Sequence, residues 1–342
     1  MLEKPVILDE QIAAGLRAEY GLDAREVTFL PLGADQHTAV YRITTREKEY
    51  FFKLRSGGFE AATVTLPRYL YDLGIPGIIP PLPTASGSLW GSLQDYKTIL
   101  FPFITGRNGY EARLSDCHWL ALGQTLKGIH AAAVPPAIGG QIARETYAPG
   151  CRETVQTFLT RVERETFSES VAAQTAALLR EQRPVIEMLL LRANRLALTL
   201  AGHEAELVLC HADLHAGNLL IGTDGRLYLV DWDTLMLAPR ERDLMYIGAG
   251  LLGDWYTPAE EVARFYPAYG AARVSQGAIA YYRYERILQD IAAFCEQLLL
   301  SDAGGDDRAQ SLIYLESNFQ PRGTIEIVCQ ADDINWPGNE VT

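Results

Sequence analysis

Lysine is scarce in this 342-residue chain: five lysines stand beside 25 arginines, and four of the five fall within residues 1–103. The formal charge is −13. A nucleic-acid-binding surface needs a basic face to neutralise phosphates, so this balance argues against one. No uncharged apolar run reaches the roughly 18 residues that a membrane-spanning helix needs, and no span is expected. The five cysteines (Cys117, Cys151, Cys210, Cys295 and Cys329) are odd in number and lack any CxxC spacing. Neither a disulfide framework nor a zinc site is indicated; the expectation is buried apolar thiols in a reducing cytoplasm. The opening MLEKPVILDEQ carries acids early and has no signal-peptide apolar core, which again points to the cytoplasm. A GxxxxGK[ST] element is missing, which excludes a P-loop NTPase.

What is present supports a real core. Apolar residues make up 48% of the chain and aromatics 10%, and this length exceeds the usual single domain, so two lobes are expected. Residues 8–20 read as an amphipathic helix ended by Gly21. Strands follow at VTFLPL (27–32), TAVYRIT (38–44) and EYFFKLR (49–55), with gaps short enough for antiparallel hairpins. A helix over 59–72 would be bent or divided by Pro67. Further strands near 87–92 and 96–103 complete a small β-rich lobe, residues 1–103. ITGRNGY then reads as a connector into a mainly helical lobe, residues 104–342, whose helical pattern begins at the N-cap Ser115 and is interrupted by three short strands, ELVLCH, GNLLIG and RLYLVDWD. Thr257-Pro258-Ala259-Glu260 has capping-box spacing, helices are expected near 275–300 and 305–318, and the last dozen residues read as a frayed polar tail. The charge divides unevenly: residues 1–103 carry 10 basic and 12 acidic side chains, residues 104–342 carry 20 and 31. An acidic cleft in the second lobe would concentrate a cationic substrate.

The chemistry concentrates in His211-Ala212-Asp213-Leu214-His215-Ala216-Gly217-Asn218, followed by LLIG and LYLVDWD. Phosphoryl transfer needs a group to accept the hydroxyl proton, oxygen ligands for magnesium and a positive partner for the phosphates. An Asp with an Asn five residues on can serve the hydroxyl and the metal, and a second Asp after the next strand can bridge metal and phosphates. Asp213, Asn218 and Asp231 have that spacing, and a hairpin around Thr223-Asp224-Gly225 would bring Asn218 and Asp231 together. A strand lysine with a helix glutamate completes such a site; Lys53 in EYFFKLR and Glu60 are the candidates. The loop LGADQHT between the first two strands holds one glycine rather than GxGxxG, so Gly33, Asp35 and their neighbours would clamp the phosphates.

HADLHAGNLLI resembles the H-G-D-x-H-x-x-N catalytic loop of the aminoglycoside phosphotransferase family of kinase-like enzymes, with Ala212 where Gly is usual. VDWD resembles that family's metal-binding D-[FW]-[DE] element. The resemblance implies a bilobal α+β protein-kinase-like fold, ATP and Mg2+ as cofactors, Asp213 as catalytic base and His215 as a neighbour of the γ-phosphate. It also implies Asn218 and Asp231 as metal ligands and Asp243 as a buried brace for the loop, with His211 packed beside it. FPFI (101–104) would face adenine through its backbone, with Phe101 and Phe103 packing on the ring. Only 11 residues separate Asp231 from Asp243 and no APE element occurs, so a small acceptor fits better than a peptide.

The stretches LAPRERDLM and YYRYERILQDIA are similar to the subgroup that phosphorylates spectinomycin, implying a small cationic aminocyclitol or aminoglycoside acceptor. Candidate acceptor-binding residues are Asp254, Trp255, Tyr256, Glu285 and Asp290, and Asp233, beside Asp231, could contact metal or acceptor. Glu285 and Asp290 share one helix, but five residues leave about 140° between them, so only one is expected to face the cleft. Two other readings stay open: a kinase of a cellular metabolite such as choline, homoserine or a sugar, and a non-catalytic nucleotide-binding regulator.

Overall fold

The computed structural model describes residues 3–33, 35, 37–253, 255–301 and 304–331. Helix α1 (Asp9–Tyr20) has acids in its first turn and Arg17 in its last, complementing the helix dipole, and Gly21 ends it at φ 64°. Strands β1 (Glu26–Leu30), β2 (Thr38–Thr44), β3 (Glu49–Arg55), β4 (Gly91–Leu93) and β5 (Tyr96–Pro102) form one antiparallel sheet in the order β1-β2-β3-β5-β4. Side chains alternate across a strand. Phe52 and Leu54 therefore join Tyr41, Ile43, Ile12 and Leu16 in a core against α1, while Phe51, Lys53 and Arg55 take the opposite face.

Helix α2 (Ala62–Asp72) begins three residues later than expected and continues through Pro67, which is buried in its packed face. This lobe is tied to the next by residues 75–78. The Leu229 N–H donates to Gly77 O (2.8 Å), and the Thr125 hydroxyl donates to Pro76 O (3.1 Å). Gly77 has φ +72°, and a Cβ there would lie 2.8 Å from Leu227 O, so the close approach requires glycine.

The stretch read as a connector forms β6 (Gly106–Asn108), an outer strand of a three-stranded sheet with β8 (Leu219–Gly222) at its centre and β9 (Leu227–Leu229) beyond. Helices α3 (Asp116–Ala131), α4 (Pro136–Gly139), α5 (Gly150–Arg164), α6 (Ser170–Glu181) and α7 (Arg183–Ala201) follow, with Ser115 capping α3. Next come β7 (Val208–Cys210), β8 (Leu219–Gly222), β9 (Leu227–Leu229) and β10 (Met236–Ala238). Pairing of β10 with β7 was not legible, because three residues are too few to display a period. Helices α8 (Glu241–Leu244), α9 (Pro258–Tyr269), α10 (Gln276–Leu299), α11 (Gly305–Ser317) and α12 (Thr324–Ala331) complete the fold. The polar tail after residue 331 lies outside the described residues.

Helix α10 is the spine of this second lobe. Ile287, Leu288, Ile291, Cys295 and Leu298 pack among α5, α6, α7 and α11, while Tyr281 and Tyr282 enter the core around α3 and α9. Among the described residues no helix is long and apolar enough to cross a membrane, and the five cysteines form no disulfide. Cys210 and Cys295 are buried as expected, but Cys117 is exposed, lying in the first turn of α3.

Thr257 and Glu260 form the expected capping box on α9, with Pro258 in its first turn. The next residue, Glu261, is buried and accepts the Gly248 and Gly250 N–H groups at 2.8 and 3.3 Å. Burial outweighs those bonds and pushes its carboxyl from 4.5 up to about 7. The folded state thus favours the protonated form; the stability this supplies is present below pH 4.5 and is lost as pH rises to about 7. Glu261→Gln, neutral throughout, should gain stability relative to the native chain by on the order of 2 kcal/mol between pH 4.5 and 7.5. Urea denaturation at both pH values checks this, and a pH-independent difference would contradict it.

Candidate active site

The loop after β7 is held by its backbone. Asp243, fully buried on α8, accepts the His211 N–H at 3.0 Å and the Ala212 N–H at 2.7 Å. His130 on α3 approaches the same carboxylate through Nε2 (3.0 Å), and its Nδ1 meets the Tyr269 hydroxyl (2.8 Å). Burial pushes the Asp243 carboxyl up, but His130, His211 and the Ala212 N–H outweigh it and hold the carboxyl below its ordinary value. Ala212 adopts φ +68°, a left-handed conformation that costs a non-glycine residue roughly 1 kcal/mol or more. That conformation explains why glycine is usual at this place in the motif. The buried His211 ring lies against Trp232, with Nε2 3.0 Å from Val230 O.

Asp213 follows directly. Its Oδ1 lies 3.0 Å from Arg286 and 3.4 Å from the Tyr246 hydroxyl. Its Oδ2 lies 3.4 Å from Asn218 Nδ2 and 3.6 Å from His215 Nε2. Burial pushes this carboxyl up, but His215 and the Arg286 guanidinium prevail and keep it well below the usual carboxylate range. His215 caps a short 3-10 turn, accepting the Gly217 N–H at Nδ1 (3.0 Å), and its ring stacks on Tyr110. Asn218 donates to Asp213 O (2.8 Å), and its own carbonyl accepts the Val230 N–H (3.1 Å). The hairpin β8–β9 turns through Gly225 at φ +75°, with Asp224 accepting from Arg226 N and the Tyr228 hydroxyl.

Beyond β9, Asp231 takes φ +63° and leaves its side chain about half exposed (53%). Lys53 Nζ reaches across from β3 to within 3.6 Å of Asp231 and 2.7 Å of Asp233. Burial would lower the Lys53 pKa, but Asp231 and Asp233 raise it above its ordinary value, so it stays charged. Arg55, two residues on and on the same face, meets Asp233 at 2.6 Å and Asp35 at 3.6 Å. Asp35 also accepts the His37 N–H and the Thr38 hydroxyl, both at 2.8 Å, and Gly33 takes φ +83°. Phe101 lies beside Phe51 on the Lys53 face, and Phe103 sits under the Arg42 guanidinium with its N–H donating to Glu49 O.

Several expectations need correction. Glu60 does not pair with Lys53: α2 starts at Ala62, so Glu60 sits exposed in the preceding turn, and Asp231 and Asp233 take the lysine instead. Asp233, offered as an acceptor contact, is instead engaged by Lys53 and Arg55 of β3. Glu285 is buried against α5, 3.3 Å from Arg152 and accepting the Cys151 thiol at 3.1 Å, so it does not face the cleft. Asp290 is the one of that pair on the Asp213 side, 3.2 Å from Arg286. Burial raises its carboxyl against the opposing pull of Arg286. Tyr256 points inward: its hydroxyl donates to Leu114 O (2.7 Å), and Arg113 and Arg264 lie over its ring, which packs on Trp119. Trp255 is 43% exposed and donates to Gly109 O (2.8 Å), next to the Tyr110 that stacks on His215. Asp254 lies outside the described residues.

Sequence reasoning missed Arg286, Arg55 and His130. For Arg55 a signal existed, since strand alternation places it on the face of Lys53. Nothing local marked the other two.

A sheet lobe carrying a partly buried lysine thus faces Asp213, Asn218 and Asp231, the spacing expected of a kinase-like phosphotransferase. The phosphotransferase enzyme family model matches residues 28–286, and the chain belongs to that family, whose members are kinases that phosphorylate a hydroxyl acceptor from ATP. Among solved structures it is similar to a spectinomycin phosphotransferase in complex with ADP and spectinomycin, at 33% identity and TM-score 0.89, covering 96% of this chain and 100% of that one. An AMP-bound complex of spectinomycin phosphotransferase aligns at 34% identity and TM-score 0.83, covering 94% and 98%. A choline kinase from Streptococcus pneumoniae shares the fold, at 17% identity and TM-score 0.57, covering 94% and 99%.

Removing the brace should be severe. Asp243→Ala leaves the buried His211 and Ala212 N–H groups without their acceptor, an expected loss of about 3 kcal/mol or more, read as a large fall in Tm. An unchanged Tm would show that the loop is held by something else.

Proposed function

We propose that this chain transfers the γ-phosphoryl group of ATP to a hydroxyl of a small cationic aminocyclitol or aminoglycoside, with spectinomycin as the foremost acceptor, and so confers resistance to it. One observation carries the reading: the near-complete alignment, at 33% identity, with an enzyme complexed with ADP and spectinomycin. Residues 1–103 serve as the nucleotide lobe and residues 104–342 as the catalytic and acceptor lobe. With ATP as donor, the cytoplasm is the place of action.

In this account the acceptor hydroxyl approaches Asp213, which takes its proton as the oxygen bonds to the γ-phosphorus and the bond from that phosphorus to the β–γ bridging oxygen breaks. The low basicity of Asp213 fits a base that acts late, when the acceptor oxygen is already bonding to phosphorus and has become acidic enough to give its proton to the carboxylate. Lys53 and Arg55 supply positive charge toward the phosphates, and Asp35 and Gly33 shape the loop above them. Phe101 and Phe103 lie where adenine would stack, and His215 stands beside the transferred group. An amide and a carboxylate, Asn218 and Asp231, are the hard oxygen donors that magnesium prefers, so these residues fit that ion. Bound there, magnesium would neutralise phosphate charge. On the acceptor side, Trp255 offers an exposed aromatic wall.

ATP turnover measured with spectinomycin, aminoglycosides, choline and homoserine tests the acceptor. Phosphorylation of spectinomycin is expected, and turnover of choline or homoserine alone would replace it with a metabolite kinase. Asp213→Asn should lower kcat by roughly 10²- to 10⁴-fold with ATP binding retained, and undiminished turnover would remove Asp213 as the base.

A further inference from the structure

Arg286 touches the proposed base, yet no role assigned so far uses it. It projects from α10, a helix buried along most of its length and therefore a rigid origin. Its guanidinium lies between Asp213 Oδ1 (3.0 Å) and Asp290 Oδ1 (3.2 Å), and Asp290 is one turn further along the same helix. The two oxygens of Asp213 are thereby made unequal. Oδ1 faces Arg286 and the Tyr246 hydroxyl, whereas Oδ2 faces Asn218 Nδ2 and His215 Nε2, the side of the proposed metal and phosphate. An aspartate carboxylate turns about a broad, roughly two-fold torsion, so an unheld one samples many presentations. A guanidinium does not give up its proton at working pH, so Arg286 takes no part in proton transfer; what it can contribute is direction.

We propose that Arg286, anchored by Asp290, is a positioning residue that holds Oδ1 of Asp213 and so presents Oδ2 to the acceptor hydroxyl. The order Asp290–Arg286–Asp213 follows the general logic of a reacting group oriented by a second group that a third holds in place. Asp290 is then committed to Arg286 rather than to the acceptor, and acceptor ammonium groups are recognised elsewhere in the cleft. The inference rests on Asp213 as base but not on the identity of the acceptor.

The test compares native enzyme, Arg286→Gln, Asp290→Asn and the double variant. ATP hydrolysis, in which water takes the acceptor's place, is measured first, spectinomycin phosphorylation second, and Tm throughout. Arg286→Gln should lower kcat for hydrolysis by about 10- to 100-fold with KM for ATP within about two-fold of native, a split that general loosening of the fold would not produce. Asp290→Asn, which keeps the arginine, should lower kcat by about 3- to 10-fold, and the double variant should be no worse than Arg286→Gln alone, as expected of residues acting in series. A kcat within about two-fold of native in either single variant, or losses that multiply in the double variant, would overturn the proposal. Should Arg286→Gln fail to fold, Asp290→Asn decides alone. If the hydrolysis pattern holds while native enzyme leaves spectinomycin untouched, the acceptor assignment falls and the role of Arg286 stands.

Discussion

A single buried carboxylate sets the geometry on which the rest of the site depends. Asp243 accepts two successive backbone N–H groups, from His211 and Ala212, and in doing so holds Ala212 in a left-handed conformation that alanine does not adopt readily. Two charge-assisted bonds in a fully buried setting are strong enough to sustain that local strain. The chain reverses at Ala212 and delivers Asp213 into the cleft. Five residues later Asn218 turns back to bond the Asp213 carbonyl, which fixes the two residues relative to one another.

The second constraint is electrostatic and spans the two lobes. Lys53 and Arg55 share one face of β3, and both meet Asp233 in the segment after β9, with Asp231 within reach of the lysine. Arg55 also touches Asp35, so the loop over the sheet, the sheet and the DWD segment are linked through one guanidinium. A similar arrangement surrounds Asp213, which Arg286 joins to Asp290. The acidic character of the second lobe is thus partly spent internally, and less of it faces an acceptor than the count of carboxylates in residues 104–342 implies.

Local chemistry was the legible part. Asp213, Asn218 and Asp231 lie within one stretch of chain, and hairpin and turn residues between them carry their own spacing rules, so residues alone bring the three together. Gly21, Ser115 and Thr257 marked helix ends for the same reason. What was not legible depends on how distant elements meet. Glu60 was chosen as the only acid in the helical stretch that follows Lys53 before Asp72, whereas the lysine's partners lie about 180 residues away. The angle between Glu285 and Asp290 on a helix excluded a shared face, but which of them met α5 and which met Asp213 was decided by packing. Tyr256 beside an exposed Trp255 could equally have pointed outward; its inward course follows from Leu114 O and Trp119, contributed by another part of the chain.

The central claim is that Asp213 meets the acceptor hydroxyl while Lys53 meets the nucleotide's phosphates. A crystal structure with a non-hydrolysable ATP analogue, magnesium and spectinomycin tests it most directly. The account predicts one spectinomycin hydroxyl within hydrogen-bonding distance of Asp213 Oδ2, in line with the γ-phosphorus, and Lys53 drawn from Asp233 onto the phosphates. Spectinomycin seated away from Asp213, or phosphates out of reach of Lys53, would contradict it.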